Sequence, residues 1–182
     1  MFNHPIFASK PIAKYAYILI LLLSFGHNLY AQKISSPDNN LNLTFELNDK
    51  GVPVYQLKYK EKSVIKPSTL GIKIKDQPSF LEGFQIDKSE ENKVDTSWEP
   101  LMGEQKIIRN NYTELLVILK QPQHNNRQLK IRFRLFNDGL GFRYEFPKQP
   151  NLNYFVIEEE RTEFQLTGNH KIFWIPGDYD TN

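Results

Sequence analysis

The chain has 182 residues and no cysteine, with 24% charged and 40% hydrophobic residues and 23 basic against 21 acidic side chains. This length holds one domain, or a targeting segment and one domain, and the composition excludes wholesale disorder and any disulfide framework. Residues 1–31 contain Lys10 and Lys14 but no acid, so the +2 of the whole chain resides there, and the neutral remainder excludes an electrostatic footprint for nucleic acid or an anionic membrane.

Lys10 and Lys14 precede an unbroken apolar run from Tyr15 to Leu23, then a short polar stretch and Leu29-Tyr30-Ala31-Gln32. A basic n-region, a short apolar h-region and a small residue at the cleavage point form the secretory pattern. The run is about half of the ~20 residues that span a bilayer, so cleavage near Ala31–Gln32 is expected, not retention as an anchor. The expected organisation is a signal peptide over residues 1–31 and an exported domain over 32–182, with the periplasm as its compartment and no membrane contact after cleavage.

From Gln32 onward the pattern alternates with period two. Leu41, Leu43, Phe45 and Leu47 form one apolar series, Tyr55, Leu57 and Tyr59 the next. Further along come Leu129, Ile131, Phe133 and Leu135, then Phe142, Tyr144 and Phe146. None of these windows has the i, i+3, i+4, i+7 spacing of a helix, and each predicts a strand with one buried face. The run Leu115–Leu119 is apolar on both faces and predicts a central strand buried between two layers. Asn48-Asp49-Lys50-Gly51 and Asn137-Asp138-Gly139 separate such strands, the second with an Asp-Gly pair expected to supply the positive φ angles of a tight hairpin. Short strands and regular turns predict an all-β antiparallel sandwich.

Chemistry is harder to read. The four histidines are far apart, and no HExxH, EF-hand loop, nucleophile elbow or phosphate-binding glycine loop is present. Glycoside hydrolysis needs two carboxyl groups ~5 to 9.5 Å apart, a pair that spacing alone does not pick out of the acids here. Glu158-Glu159-Glu160 reads as a solvated edge. Trp98 and Trp174 each sit beside a proline at a strand end, where a ring can either line a cleft or close the core; the core is the expectation for Trp98, and both remain open for Trp174. Asn42-Leu43-Thr44 and Asn111-Tyr112-Thr113 match the glycosylation sequon but read as ordinary strand residues.

Three segments, taken in order, go further. They are Asp95-Thr96-Ser97-Trp98-Glu99-Pro100 with Gly103-Glu104 and Ile108 to Leu115; Phe133 to Pro147 around Asn137-Asp138-Gly139; and Thr162-Glu163-Phe164, Gly168-Asn169-His170 and Trp174-Ile175-Pro176-Gly177-Asp178-Tyr179-Asp180. Together, with Ser35-Ser36-Pro37-Asp38 and Gly51-Val52-Pro53-Val54-Tyr55, they resemble the N-terminal domain of glycoside hydrolase family 97, the α-glucosidase and α-galactosidase family of starch-utilisation type. The resemblance covers essentially all of Gln32–Asn182.

It implies an antiparallel β-super-sandwich of galactose-mutarotase type, incomplete at its C-terminus, ahead of a catalytic (β/α)8 barrel. It also implies α-linked glucosides or galactosides as substrates of the parent enzyme, and a Ca²⁺ held mainly by barrel glutamates. One further Ca²⁺ glutamate from the N-terminal domain would fall beyond Asn182, so no metal ligand and no catalytic residue is assigned within this chain. The 182 residues by themselves are expected to be inactive and to support the barrel's active site, with the stretches 109–112 and 174–179 as the pocket candidates, chief among them Arg109, Asn110, Tyr112, Trp174, Asp178 and Tyr179. Two other readings stay open: a freestanding periplasmic β-sandwich that binds carbohydrate or another protein, and a secreted domain with a purely structural role.

Overall fold

A computed structural model of the chain describes residues 31–150 and 152–173; the expected signal peptide, and Trp174, Asp178 and Tyr179, lie outside them. The strands in chain order are β1 (Gln32–Ser35), β2 (Leu41–Leu47), β3 (Pro53–Tyr59), β4 (Lys62–Thr69), β5 (Ile72–Ile74), β6 (Gln85–Trp98), β7 (Ile108–Gln121), β8 (Arg127–Leu135), β9 (Leu140–Glu145) and β10 (Ile157–Glu160). Two four-stranded sheets, ordered β1-β2-β3-β4 and β6-β7-β8-β9, are antiparallel throughout, and β5 pairs with β10.

The alternating series explain why these sheets face one another. Leu43, Phe45 and Tyr55 from the first sheet, and Val117, Leu119, Leu129, Ile131, Phe133 and Leu135 from the second, are fully buried in one core. Phe45 meets Phe133 at 5.7 Å between ring centroids, and Tyr55 meets Phe142 at 5.9 Å, the tilted geometry that aromatic pairs prefer. The molecule is an antiparallel β-sandwich, as the alternation predicts. Burial pushes the Tyr55 hydroxyl up to about 12, and it donates to the Glu163 carbonyl at 2.8 Å, fixing the 163–166 segment along β4.

The Asn48–Gly51 turn forms as expected. Asn48 Oδ1 accepts from the main-chain N–H groups of Lys50 and Val52, and Gly51 takes φ +70°. A Cβ on Gly51 would lie 2.6 Å from the main chain of Phe84, so the position also serves a close approach of two loops.

Three expectations need correction. The run Leu115–Leu119 is central in its sheet, but only Leu115, Val117 and Leu119 are buried; Leu116 and Ile118 are half-buried among Glu90, Arg132, Lys88 and Lys130, their cross-strand neighbours, because one layer covers this sheet, not two. Trp98 does not close the core. It is 54% exposed, at the end of a β6 that runs past the sandwich. The third concerns the loop from β8 to β9, which holds four residues, closed by the Phe136 N–H on the Gly139 carbonyl at 2.8 Å, and neither Asp138 nor Gly139 takes a positive φ; the longer loop removes the demand a two-residue hairpin makes. The expected solvated edge does hold for Glu158–Glu160, which lies within β10, with Glu158 paired to Lys73 at 2.9 Å and Glu159 to Arg161 at 2.8 Å.

Candidate functional site

Strands β6 and β7 have fourteen residues each and pair from Gln85↔Lys120 to Trp98↔Ile108. Strand β8 pairs with β7 only from Thr113 to Gln121. Residues 94–112 therefore project beyond the sheet as a two-stranded arm. Its inner face continues the buried series Leu119, Val117, Leu115 into Thr113, Asn111 and Arg109, and antiparallel register sets Lys93, Asp95 and Ser97 opposite these three. The apolar face of the core thus turns polar at Thr113.

Against this face lies the tight connection from β1 to β2. Ser36 Oγ donates to Asp38 at 2.5 Å and accepts from the Leu41 N–H at 3.0 Å, while Asp38 also accepts from Asn40 Nδ2 at 2.6 Å. Asn39 takes a left-handed φ of 60°, which asparagine tolerates. The Asp38 N–H reaches across to Asn137 Oδ1 at 3.1 Å and ties this loop to the one between β8 and β9.

Between loop and arm is a cleft of about 250 Å³, lined in part by Ser36, Asn39, Lys93, Asp95, Asn111 and Thr113. Arg109 forms a bidentate pair with Asp95, Nε to Oδ1 at 2.8 Å and Nη2 to Oδ2 at 2.7 Å. This hydrogen bond holds the Asp95 carboxyl below its ordinary range, so it stands ionised with its direction fixed. Thr113 is 1% exposed and its Oγ1 has no hydrogen-bond partner in the protein, the one such buried side-chain atom among the described residues.

Of the pocket candidates from the sequence, Arg109 thus lies on the cleft side of the arm through Asp95. Asn110 pairs with Thr96 and Tyr112 with Val94 in the register, on the alternate positions. Tyr112 is buried and borders the cleft, although its ring packs on Phe136 at 5.2 Å and under the Arg134 guanidinium at 4.7 Å. Sequence reasoning missed Asn39, Lys93, Asp95 and Thr113, while Asn111 falls within the candidate stretch 109–112. The available signal was the buried series on β7 passing from leucine and valine to threonine and asparagine without a break in alternation.

Among the described residues no three His, Cys, Asp or Glu side chains are grouped to hold a metal ion. The nearest gathering of carboxylates, Glu114 and Glu145, is taken up by Arg132, Arg134 and Arg143. The Ca²⁺ that the family resemblance implies has its ligands assigned outside these residues, so none of the described residues is given a role in holding it.

The family described as Glycosyl-hydrolase 97 N-terminal matches residues 34–182. Among solved structures, a glycoside hydrolase family 97 enzyme from Pseudoalteromonas sp. strain K8, seen as a variant with panose and also with acarbose, superposes with a TM-score of 0.70 at 33% identity, over 75% of this chain and 20% of that one. A β-arabinopyranosidase shares the fold, with a TM-score of 0.67 at 23% identity over 74% of this chain and 21% of its own. The chain thus spans about one fifth of the length of the enzymes it matches.

Proposed function

From the premise that this chain belongs to glycoside hydrolase family 97, whose N-terminal domain it matches over residues 34–182, we propose that it is the non-catalytic N-terminal domain of an exported α-glycosidase. Its role is to shape and steady the active site of a catalytic barrel, with α-linked glucosides or galactosides as the substrates of the whole enzyme. The observation that carries this reading is the match to an N-terminal domain combined with coverage of only about 20% of enzymes of known structure. The sugar complexes of the Pseudoalteromonas enzyme support the substrate class. The Lys10/Lys14 segment with its apolar run supports export to the periplasm.

Hydrolysis needs an acid and a second carboxylate flanking the bond. On the cleft side of the arm, Asp95 is already engaged by Arg109, which leaves it suited to hold a sugar or a neighbouring loop and not to move protons. The purified chain is therefore expected to release no nitrophenol from nitrophenyl α-glucoside or α-galactoside, with or without Ca²⁺. Turnover well above a mock preparation, lost on chelation, would overturn the non-catalytic assignment.

A further inference from the structure

The cleft beside the arm is too well furnished for a solvated groove. Asn39, Lys93 and Asn111 line it with side chains that make no hydrogen bond or ion pair within the described protein, and beneath them Thr113 keeps a hydroxyl that is sealed from solvent and unpartnered. A buried hydroxyl without a partner costs stability. The surrounding frame is fixed, since Arg109 holds Asp95 by two hydrogen bonds and Ser36, Asp38 and Asn40 brace the loop opposite.

The chemistry of the lining selects the ligand. Two amides, an ammonium and a carboxylate offer donors and acceptors together. The charges of Lys93 and Arg109 are balanced by Asp38 and Asp95, so an anion gains no net field and would meet the Asp95 carboxylate. Both carboxylates are already engaged, Asp95 by Arg109 and Asp38 by Ser36 and Asn40, so neither is left to hold a cation. An apolar ligand would leave the side chains of Asn39, Lys93 and Asn111 unpaired. A small, neutral, polyhydroxylated molecule satisfies them all, and about 250 Å³ lies near the lower end of ligand pockets, the size of one sugar ring.

We propose that this cleft is a sugar-binding site that takes one pyranose unit through Asn39, Lys93, Asp95 and Asn111. This rests on the α-glycosidase reading for the kind of sugar, and adds a site carried by the N-terminal domain itself.

The test is titration of the ¹⁵N-labelled chain with glucose, maltose and panose, following amide shifts, with sodium phosphate as the anionic control. Saturable shifts at Asn39, Lys93 and Asn111 are expected, with a Kd on the order of 1–10 mM. Asn111→Ala should weaken binding about tenfold, a loss of ~1.4 kcal/mol. Thr113→Val should leave binding intact while raising the melting temperature by about 2–4 °C, because it removes a sealed, unpaired hydroxyl in the same volume. A folded spectrum with no sugar-dependent shifts, equal shifts with phosphate, or undiminished binding by Asn111→Ala would overturn the proposal. Sugar binding in a chain that also hydrolyses nitrophenyl glycosides would instead sink the non-catalytic reading and leave the cleft intact.

Discussion

At the scale of single residues, the fold tolerates backbone strain where it turns. Strands β3 and β4 are joined by Lys60 and Glu61 alone, and both take positive φ, 46° and 64°. This is the geometry of a type I′ hairpin, which Asn-Gly satisfies and which side chains such as lysine and glutamate adopt at a cost. The cross-strand match of Tyr59 with Lys62 and Leu57 with Ile65 imposes the turn on residues that do not favour it. Replacing Lys60 by Asn and Glu61 by Gly is expected to raise stability by about 1–2 kcal/mol, read as a higher urea midpoint at unchanged slope. A lower midpoint would mean that the two side chains contribute more than their backbone strain costs.

Elements are locked together by charge on the outer face of the second sheet. Arg132 on β8 bonds Glu114 on β7 at 2.5 Å and Glu145 on β9 at 2.6 Å, while Arg134 and Arg143 complete the set at 2.9 Å and 2.8 Å. Arg132 and Arg143 face each other across the strands, a repulsion that Glu145 between them removes. The hydrogen bond from Arg132 holds the Glu145 carboxyl down at about 2, against an ordinary value of 4.5, and the same pairing pushes Arg132 upward. A carboxyl depressed in the folded state stabilises above its unfolded value and loses that contribution as pH falls from about 4.5 toward 2. Glu145→Gln is expected to cost roughly 1–3 kcal/mol at pH 7 and to flatten the acid limb of stability in that window. Urea melts at pH 7, 4 and 2.5 check this, and an unchanged pH dependence would remove Glu145 from the account.

At the scale of the molecule, two of the uncovered apolar surfaces among the described residues adjoin the second sheet. One is the tip of the arm, where Trp98, Leu101, Met102 and Ile107 are all exposed. The other is the flank at β9, where Phe142, Tyr144 and Phe146 are only half-buried and Phe164 is exposed, in contrast to the fully buried Phe133 on the neighbouring strand. At ~25 cal/mol per Å², even ~200 Å² of uncovered apolar surface corresponds to about 5 kcal/mol, comparable to the net stability of a small domain. The purified chain is therefore expected to self-associate at the concentrations used for light scattering, and Leu101→Ser with Met102→Ser to shift it toward monomer without lowering its melting temperature. A strictly monomeric chain with sharp, reversible unfolding would count against this and favour the freestanding binding module.

What was legible in the sequence was whatever rests on local periodicity. Alternation alone specified β2, β3, β8 and β9, the burial of Phe45, Tyr55 and Phe133, and the sandwich class, because a strand with one apolar face has to cover it. The ordered motifs around Asp95, Asn137 and Gly168 identified the family for the same reason, since contiguous residues carry them. Strands β4, β5, β6 and β10 were not legible: Gln85–Trp98 is almost wholly polar and is a strand only because β7 offers it fourteen residues of ladder, and Lys62–Thr69 is held by β3 on one side and the 163–166 segment on the other. The cleft lies further still from the sequence. Asn39, Lys93 and Asn111 are far apart in the chain and acquire a common surface only when the β1–β2 loop is tied to Asn137 and the arm outruns β8. Which apolar residue is covered, which hydroxyl is left unpaired and which carboxylate is captured by arginine are all properties of strand register between distant segments, and those were decided by the tertiary structure alone.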